Sequence, residues 1–512
     1  MRPAYNPEFE LKLSLDEATA AAFAERPWLH KLVKGEGECR HLVSVYFDTP
    51  RHALRKAGMA LRIRVDGDRR VQTLKAPIPG PAGIQSHAEW TADVEGDRPD
   101  LTLIGDDDLR RRLVDRGYST RLRPMFVTDF VRRRWRVKGG GATVELALDI
   151  GEIRATSPGG APAVAAIREV ELELLSGKVG RLHDLALRLC EAEDVQPGHQ
   201  TKAERGYLLL QQRQARSVKA EPVALSPDAT VWDGFDAVAK NGLRHLLMNE
   251  AAARRGDPEG IHQFRVAIRR LRATLRAFKA MLPYASRKGF NGELRWLQQR
   301  LGPARDWHVF LDETLPEIVP DDANGKVATH LRRLARRERR DGLADAAAIL
   351  GNRRYARLLL HLQRWLAHLP EEDEAGGLKK PLARFARQVL DAAHKDLLRC
   401  DAGFARMSSS ELHRLRILAK KLRYASEFFR SLYPGAAASA YIRSLARLQD
   451  RLGRINDAEV ARQMVAGAKE GRVLPEAERL VRRWSDARIR SGRRKLAPFW
   501  RRFAQQPPFW RD

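Results

Sequence analysis

The chain has 512 residues, 43% of them hydrophobic, and its 93 Lys and Arg against 65 Asp and Glu give a net charge of +28. That length allows two or more domains with real cores. Cys39, Cys190 and Cys400 are far apart and form no CxxC pair. A disulfide scaffold and a zinc site are therefore excluded, and a reducing compartment fits. No run of 18 apolar residues and no apolar leader is present, so a cytoplasmic protein with no membrane span is expected. The charge is uneven. Residues 1–220 hold 36 basic and 31 acidic side chains, a net of +5; residues 221–512 hold 57 and 34, a net of +23. The second part is the one that attracts polyanions.

In chain order, Glu8, Glu10 and Lys12 alternate with Phe9, Leu11 and Leu13. This period of two predicts a strand with its charges on one face. Two like carboxylates at neighbouring same-face positions repel unless a cation sits between them. Asp16 to Arg26 is expected to form a short helix and Val43 to Phe47 a strand. Met59 to Val65 carries Arg62 and Arg64 on one face, Gly67 turns, and Val71 to Lys75 returns as the second arm of a basic hairpin. A Pro/Gly loop follows, then a strand His87 to Val94 with Glu89, then a helix from Asp106 to Arg116 with an acidic first turn. Phe126 to Lys138 puts Arg132, Arg134 and Arg136 on one face and Arg133 on the other. Thr143 to Ile153 holds Glu145 and Asp149, and Ile167 to Leu175 holds Glu169, Glu171 and Glu173 on one face. Lys178 to Cys190 is an amphipathic helix, and the segment TKAERGY, Thr201 to Tyr207, closes the region.

One set of strands thus carries same-face carboxylates and another carries same-face Arg and Lys. A solvated sheet face explains any one strand. Five strands together point to a closed barrel with a polar lumen. Carboxylate oxygens suit Mg²⁺ or Mn²⁺, and guanidinium forks suit phosphate oxygens. Together they neutralise charge on a transferred phosphoryl group.

Residues 5–210 resemble the CYTH family, the triphosphate tunnel metalloenzymes. The resemblance rests on the ExExK strand, LRIR, TLK, Glu89, ALDIGEI, REVELEL and TKAERGY. It implies an antiparallel eight-stranded tunnel with flanking helices that hydrolyses inorganic triphosphate or a related triphosphate with Mg²⁺ or Mn²⁺. By resemblance, Glu8, Glu10 and Lys12 are the catalytic set, and Glu8, Glu10, Asp149, Glu171 and Glu173 hold the metal. Arg62, Arg64, Lys75, Glu89, Arg132, Arg134 and Lys202 line the substrate. One departure is His87, which stands where the family often has an arginine and which weakens one phosphate contact.

Gln211 to Asp228 is polar, contains Pro222 and Pro227 and lacks periodicity, so residues 213–228 are expected to link a domain of residues 1–212 to one of residues 229–506. From Val231 the pattern is helical. It repeats at a displacement of 151 residues: His262, Arg265, Arg269, Arg270, Leu271, Arg272 and Phe278 return as His413, Arg416, Lys420, Lys421, Leu422, Arg423 and Phe429. A second block, Leu297 to Val309, returns at the same displacement, with Asp306 matching Asp457. Two structural copies follow. His262, Arg265, Arg269 and Arg272 step by three and four along one helix face, as do His413, Arg416, Lys420 and Arg423. Like charges at this spacing cost about 0.2–0.5 kcal/mol per pair. A bound polyanion explains why both copies keep the cost.

Residues 225–505 resemble the CHAD family through HQFRVAIRRLR and HRLRILAKKLRY. That resemblance implies two pseudo-symmetric helical bundles around a basic channel that binds inorganic polyphosphate. Its expected contacts are His262, Arg265, Arg269, Arg270, Arg272, Arg305, His413, Arg416, Lys420, Lys421 and Arg423, and both histidines should tighten binding as they protonate near pH 6.5. The chain as a whole is then an α+β triphosphatase with an all-α polyphosphate module, with association to polyphosphate granules a further expectation. A non-catalytic granule-binding protein and an adenylyl cyclase of the same tunnel fold are the alternatives. A nucleic-acid-binding protein ranks last, because the basic stripes lack interleaved aromatics for base stacking.

Overall fold

The computed structural model describes residues 6–33, 35–81, 83–157, 159–214, 216–319, 325–369, 376–400, 403–404, 407–468 and 473–511. The chain divides into two compact units: Met1–Ala215 with Gly351–Leu369, and Arg216–Leu350 with Pro370–Asp512.

Among the described residues the first unit is built on nine strands: β1 (Asn6–Leu15), β2 (Glu38–Asp48), β3 (Ala60–Asp66), β4 (Arg69–Pro77), β5 (Gln85–Asp93), β6 (Arg123–Gly139), β7 (Ala142–Thr156), β8 (Pro162–Ser176) and β9 (Val195–Gly198). Their order is β5-β4-β3-β2-β6-β7-β8-β1-β9, and β1 also pairs with β5. Eight antiparallel strands therefore close a barrel. β1 makes this possible by dividing one edge: Asn6 to Glu10 pair with β5, and Lys12 to Leu15 pair with β9. Closure removes the sheet edges and gives each strand an inner and an outer face. Tight turns join the long strands; Gly140 and Gly141 take φ values of 56° and 71° between β6 and β7, where a side chain would be strained.

The alternation of β1 decides which face is which. Leu11 and Leu13, 2% and 0% exposed, pack outward with Leu146, Leu148, Val170 and Leu172 against the helices Glu17–Ala22, Pro27–Leu32 and Gly180–Ala192. The helix Arg353–His368 completes this layer through Ala356 and Leu360, although its sequence interrupts the second half of the chain. A second outer core, with Phe47, Leu61, Ile63 and Leu74, lies under the helix Asp107–Asp115. A third cluster, Tyr46, Phe126, Phe130, Ile153, Ile167 and Tyr207, packs against the helix Lys202–Leu210.

The second unit is all-helical. The equivalent helices Pro258–Ala277 and Ser409–Phe429 start the two repeats. Their partners differ. The second copy runs unbroken from Ala436 to Ala466, whereas the first breaks between Arg300 and Gly302. Pro303 follows that break and has no N–H to continue the ladder, while its counterpart is Arg454. Among the described residues, no helix is long and apolar enough to cross a membrane.

Candidate active site

The inner face of the barrel encloses a cavity of about 490 Å³. Register places its side chains. Glu10 lies opposite Glu173 and Lys12 opposite Glu171 across β1 and β8; Asp149 lies opposite Glu169 and Arg132 across β7. Glu8, Glu10, Lys12, Arg62, Arg64, Lys75, Glu89, Arg132, Arg134, Glu171, Glu173 and Lys202 all line this one space, with His87 and Glu145. Arg133 points outward, 3.8 Å from Glu25, so the three consecutive arginines divide as the strand period demands.

One region of the lumen is electrically complete. Asp149, Glu169 and Glu171 bring carboxylate oxygens within 4.8 Å of one another, a grouping able to hold a metal ion. Protein cations already fill it. Lys202 donates to Asp149, Glu169 and Glu171 at 2.6, 2.5 and 2.7 Å. Arg132 grips Asp149 through two bonds of 2.7 and 2.6 Å and also bonds Glu171. Lys12 bonds Glu171 and lies 2.6 Å from Glu10, and Arg205 reaches Glu169 at 2.9 Å. Burial opposes the charge on Glu171, but Lys12, Lys202 and Arg132 outweigh it and hold its carboxyl well below the usual range. With Glu10 on Lys12, four carboxylates here face four cations, Lys12, Arg132, Lys202 and Arg205.

The rest of the lumen is unbalanced in both directions. Burial and the Glu171 carboxylate, then Glu8, push the Glu10 carboxyl up to about 8 against the pull of Lys12. Burial and the carboxylates of Glu8, Glu145 and Glu89 push Glu173 up to about 7, with Lys75 opposing. Glu8 is held by Lys75 at 2.7 Å. Across the lumen, Arg62 and Arg64 form no ion pair among the described residues. The Arg64 side chain donates to the Ser44 hydroxyl at 3.3 Å. Burial, then Arg62 and Arg132, push its guanidinium down to about 9. Arg134 is turned toward Glu38, at 2.6 Å, with Glu145 at 3.6 Å. Burial and Lys75 push His87 down to about 4, so it stays neutral near pH 7.

Sequence reasoning named most of this lining but missed Tyr46, Arg55 and Arg205. Tyr46 and Arg55 line the cavity and Arg205 supports Glu169. Arg55 sits on the one-turn helix Ala53–Lys56, capped by the buried Asp48 carboxylate, which also accepts from Tyr207 at 2.8 Å. Nothing in a local strand pattern announces that latch. Glu169 shares the face of Glu171, and that parity is the signal that assigns it.

In the second unit, the repeat holds in the contacts. Arg265 donates to the Leu301 carbonyl at 2.6 Å and lies 3.7 Å from Asp306. Its counterpart Arg416 feels Asp457 in the same way. Arg269 reaches the Tyr424 hydroxyl at 3.5 Å, and its charge bears on Arg416 and Lys420. The two stripes therefore face each other. Burial, then Arg416, Arg269 and Arg423, push the Lys420 ammonium down to about 7. Burial, Arg305 and Arg269 push His262 down to about 4, which removes it as a switch near pH 6.5. His413, exposed, contacts Asn456 at 3.1 Å. Arg272 is bound to Asn291 and Gln298 at 3.1 and 2.8 Å, and Arg423 lies 3.5 Å from Glu427. Two named residues lie off the stripes. Arg270 is buried between Glu427, Asn241 and the Phe428 ring. Lys421 lines a separate cavity.

Comparison with known proteins agrees with this division. An uncharacterized protein of Mycobacterium tuberculosis is 28% identical over 447 residues, 83% of each chain. The inorganic triphosphatase of Haemophilus influenzae is 32% identical over 205 residues, which is 40% of this chain and 54% of that one. The crystal structure of the CHAD domain from the plant Ricinus communis is 33% identical, covering 55% of this chain and 98% of that chain, with a TM-score of 0.48. Residues 6–207 match the CYTH domain family and residues 237–466 match the CHAD domain family. The chain belongs to the proteins that join a CYTH domain to a CHAD domain.

Proposed function

We propose that the barrel hydrolyses inorganic triphosphate, or a related triphosphate, with Mg²⁺ or Mn²⁺, and that the helical unit binds inorganic polyphosphate. One observation carries the first half. A single lumen holds two arginines that form no ion pair among the described residues, Arg62 and Arg64, and two carboxyls that burial and neighbouring carboxylates push up, Glu10 and Glu173. A guest that satisfies both must bring negative and positive charge together, as a metal–triphosphate complex does. The triphosphatase relative matches the same part of the chain.

Glu8, Glu10 and Glu173 are hard oxygen donors on one wall and fit such a metal. When bound, the metal shields the phosphoryl oxygens and polarises the anhydride bond. The chain's own residues do the rest. Arg62 and Arg64 anchor terminal phosphate oxygens as charge-assisted donors. Lys12, Lys202 and Arg132 fix the carboxylate array beneath them, so few dipoles need to reorganise during reaction. The closed barrel limits water to what the cavity admits.

The test is phosphate release from inorganic triphosphate, ATP and long-chain polyphosphate, each with and without metal. Triphosphate should turn over only with metal. No release from any of them with either metal would overturn the reading.

A further inference from the structure

The helix Ser409–Phe429 carries a second basic face. It is rotated from the His413–Arg423 stripe by about 100°, the turn of one residue. Arg414 and Lys421 on that face meet Arg399, Arg490, Arg493 and Arg494 around a cavity of about 1140 Å³. Three of these residues, Arg490, Arg493 and Arg494, come from one turn of the helix Pro475–Ala504. Among the described residues, none of the six cations forms an ion pair. The Nε–H of Arg493 is shut off from solvent and finds no acceptor among the described residues. Among the described residues two acids line the same space, and one of them, Glu411, is engaged in capping its helix at Ser408. The floor is apolar: Leu418 is buried and Ile417 is 39% exposed.

We propose that this cavity is a binding site for a nucleoside polyphosphate, distinct from both the barrel lumen and the facing stripes. Six cations against two acids call for several negative charges on one ligand, not one. Inorganic polyphosphate supplies them but offers nothing to an apolar floor. A nucleoside polyphosphate offers both, since a flat base covers Ile417 and Leu418 and stacks on guanidinium planes while the phosphates take the remaining donors. The volume exceeds the roughly 300–1,000 Å³ usual for small-molecule sites, so size is no obstacle.

Cys400 lines this cavity and is half-buried, while Cys39 is exposed in the other unit and serves as the internal control. The experiment is alkylation of the full chain in EDTA, which prevents metal-dependent turnover, with both thiols followed by mass spectrometry. ATP should slow modification of Cys400 about tenfold when present at about ten times its dissociation constant, and leave Cys39 unchanged. Adenosine should not protect, and inorganic triphosphate should protect only at far higher concentration. Double charge reversal, Arg490→Glu with Arg494→Glu, should abolish protection; both residues are exposed, so the fold should survive, and phosphate release by the barrel should be unchanged. Equal protection by triphosphate or long-chain polyphosphate would overturn the nucleoside assignment. Absence of protection by ATP, or its persistence in the double variant, would overturn the site. None of these readouts depends on triphosphatase activity, so either reading can fail alone.

Discussion

Lys75 reaches across β5 to hold the Glu8 carboxylate of β1, with Nζ 2.7 Å from Oε1. The pair joins a residue expected at the metal to one expected at the phosphates. On the proposed reading, a metal held by Glu8 would compete with the Lys75 ammonium for this carboxylate. Lys75→Ala should raise metal affinity, because a competing cation is gone, and lower kcat/KM for triphosphate about 10- to 100-fold, as loss of a charged hydrogen bond implies. Calorimetric titration with Mn²⁺ beside steady-state kinetics checks both. A fall in metal affinity would show that Lys75 supports the metal instead of competing with it.

Metal binding should depend on pH through Glu10 and Glu173, raised to about 8 and about 7. A raised carboxyl keeps its proton at lower pH, and metal must expel that proton. Affinity for Mn²⁺ should climb between pH 6 and 8 by up to about tenfold per unit for each proton released, then level off. Glu10→Gln should flatten the profile and abolish turnover without unfolding the barrel. A steep profile that survives Glu10→Gln and Glu173→Gln together would assign the proton elsewhere.

Two arginines of the lumen should fail differently. Arg64 has no carboxylate to hold, so Arg64→Ala should cost about 1.5–3 kcal/mol in kcat/KM and leave the melting temperature near wild type. Arg132 holds the fully buried Asp149, and Arg132→Ala should destabilise the barrel by about 3–5 kcal/mol by stranding that charge. Melting curves paired with kinetics separate the two. If both variants lose activity without loss of stability, the structural role of Arg132 is wrong.

Polyphosphate should bind through both stripes. Neutralising Arg265 with Arg269, or Arg416 with Arg423, should each weaken binding, and affinity should fall steeply with salt. Lys420, lowered to about 7, sets the pH dependence: it is charged below that value, so binding should weaken as pH rises from 6 to 8. Competition between long polyphosphate and duplex DNA at about 150 mM salt is the decisive measurement, because exposed charges beyond about 8 Å are screened there. DNA winning would restore the nucleic-acid alternative.

The barrel should need the helix Arg353–His368. Leu360 is fully buried in the core that covers β1, and Arg364 pairs with Asp184 at 2.6 Å. Leu360→Ala in the full chain should destabilise the first unit by about 2–5 kcal/mol through lost burial and the cavity left behind. Denaturation followed by barrel-specific activity should show it; an unchanged midpoint would mean the helix rests on the barrel without supporting it.

The sequence by itself determined the strand faces, the acidic and basic rows of the lumen and the 151-residue repeat. Each is a periodic property, and a period of two or 3.6 fixes which side chains share a face without reference to anything distant. It also placed Glu8, Glu10 and Lys12 on one wall, because closure of the barrel leaves only one inside. Tertiary structure decided what each charge meets. The neutralisation of Asp149, Glu169 and Glu171 by Lys12, Arg132, Lys202 and Arg205 brings together five elements, β1, β6, β7, β8 and the helix Lys202–Leu210, and no local pattern encodes such a match. Burial then set the protonation: His262, read from its sequence as titrating near pH 6.5, falls to about 4 beside Arg305 and Arg269, and Lys420 takes over that range. Arg270 and Lys421 follow the repeat as faithfully as Arg269 and Lys420, yet one position of helical rotation sends them to a buried ion pair and to another cavity. The helix Arg353–His368 is the clearest case. Its amphipathic pattern shows that it must bury Leu360, and only the assembled barrel shows against what.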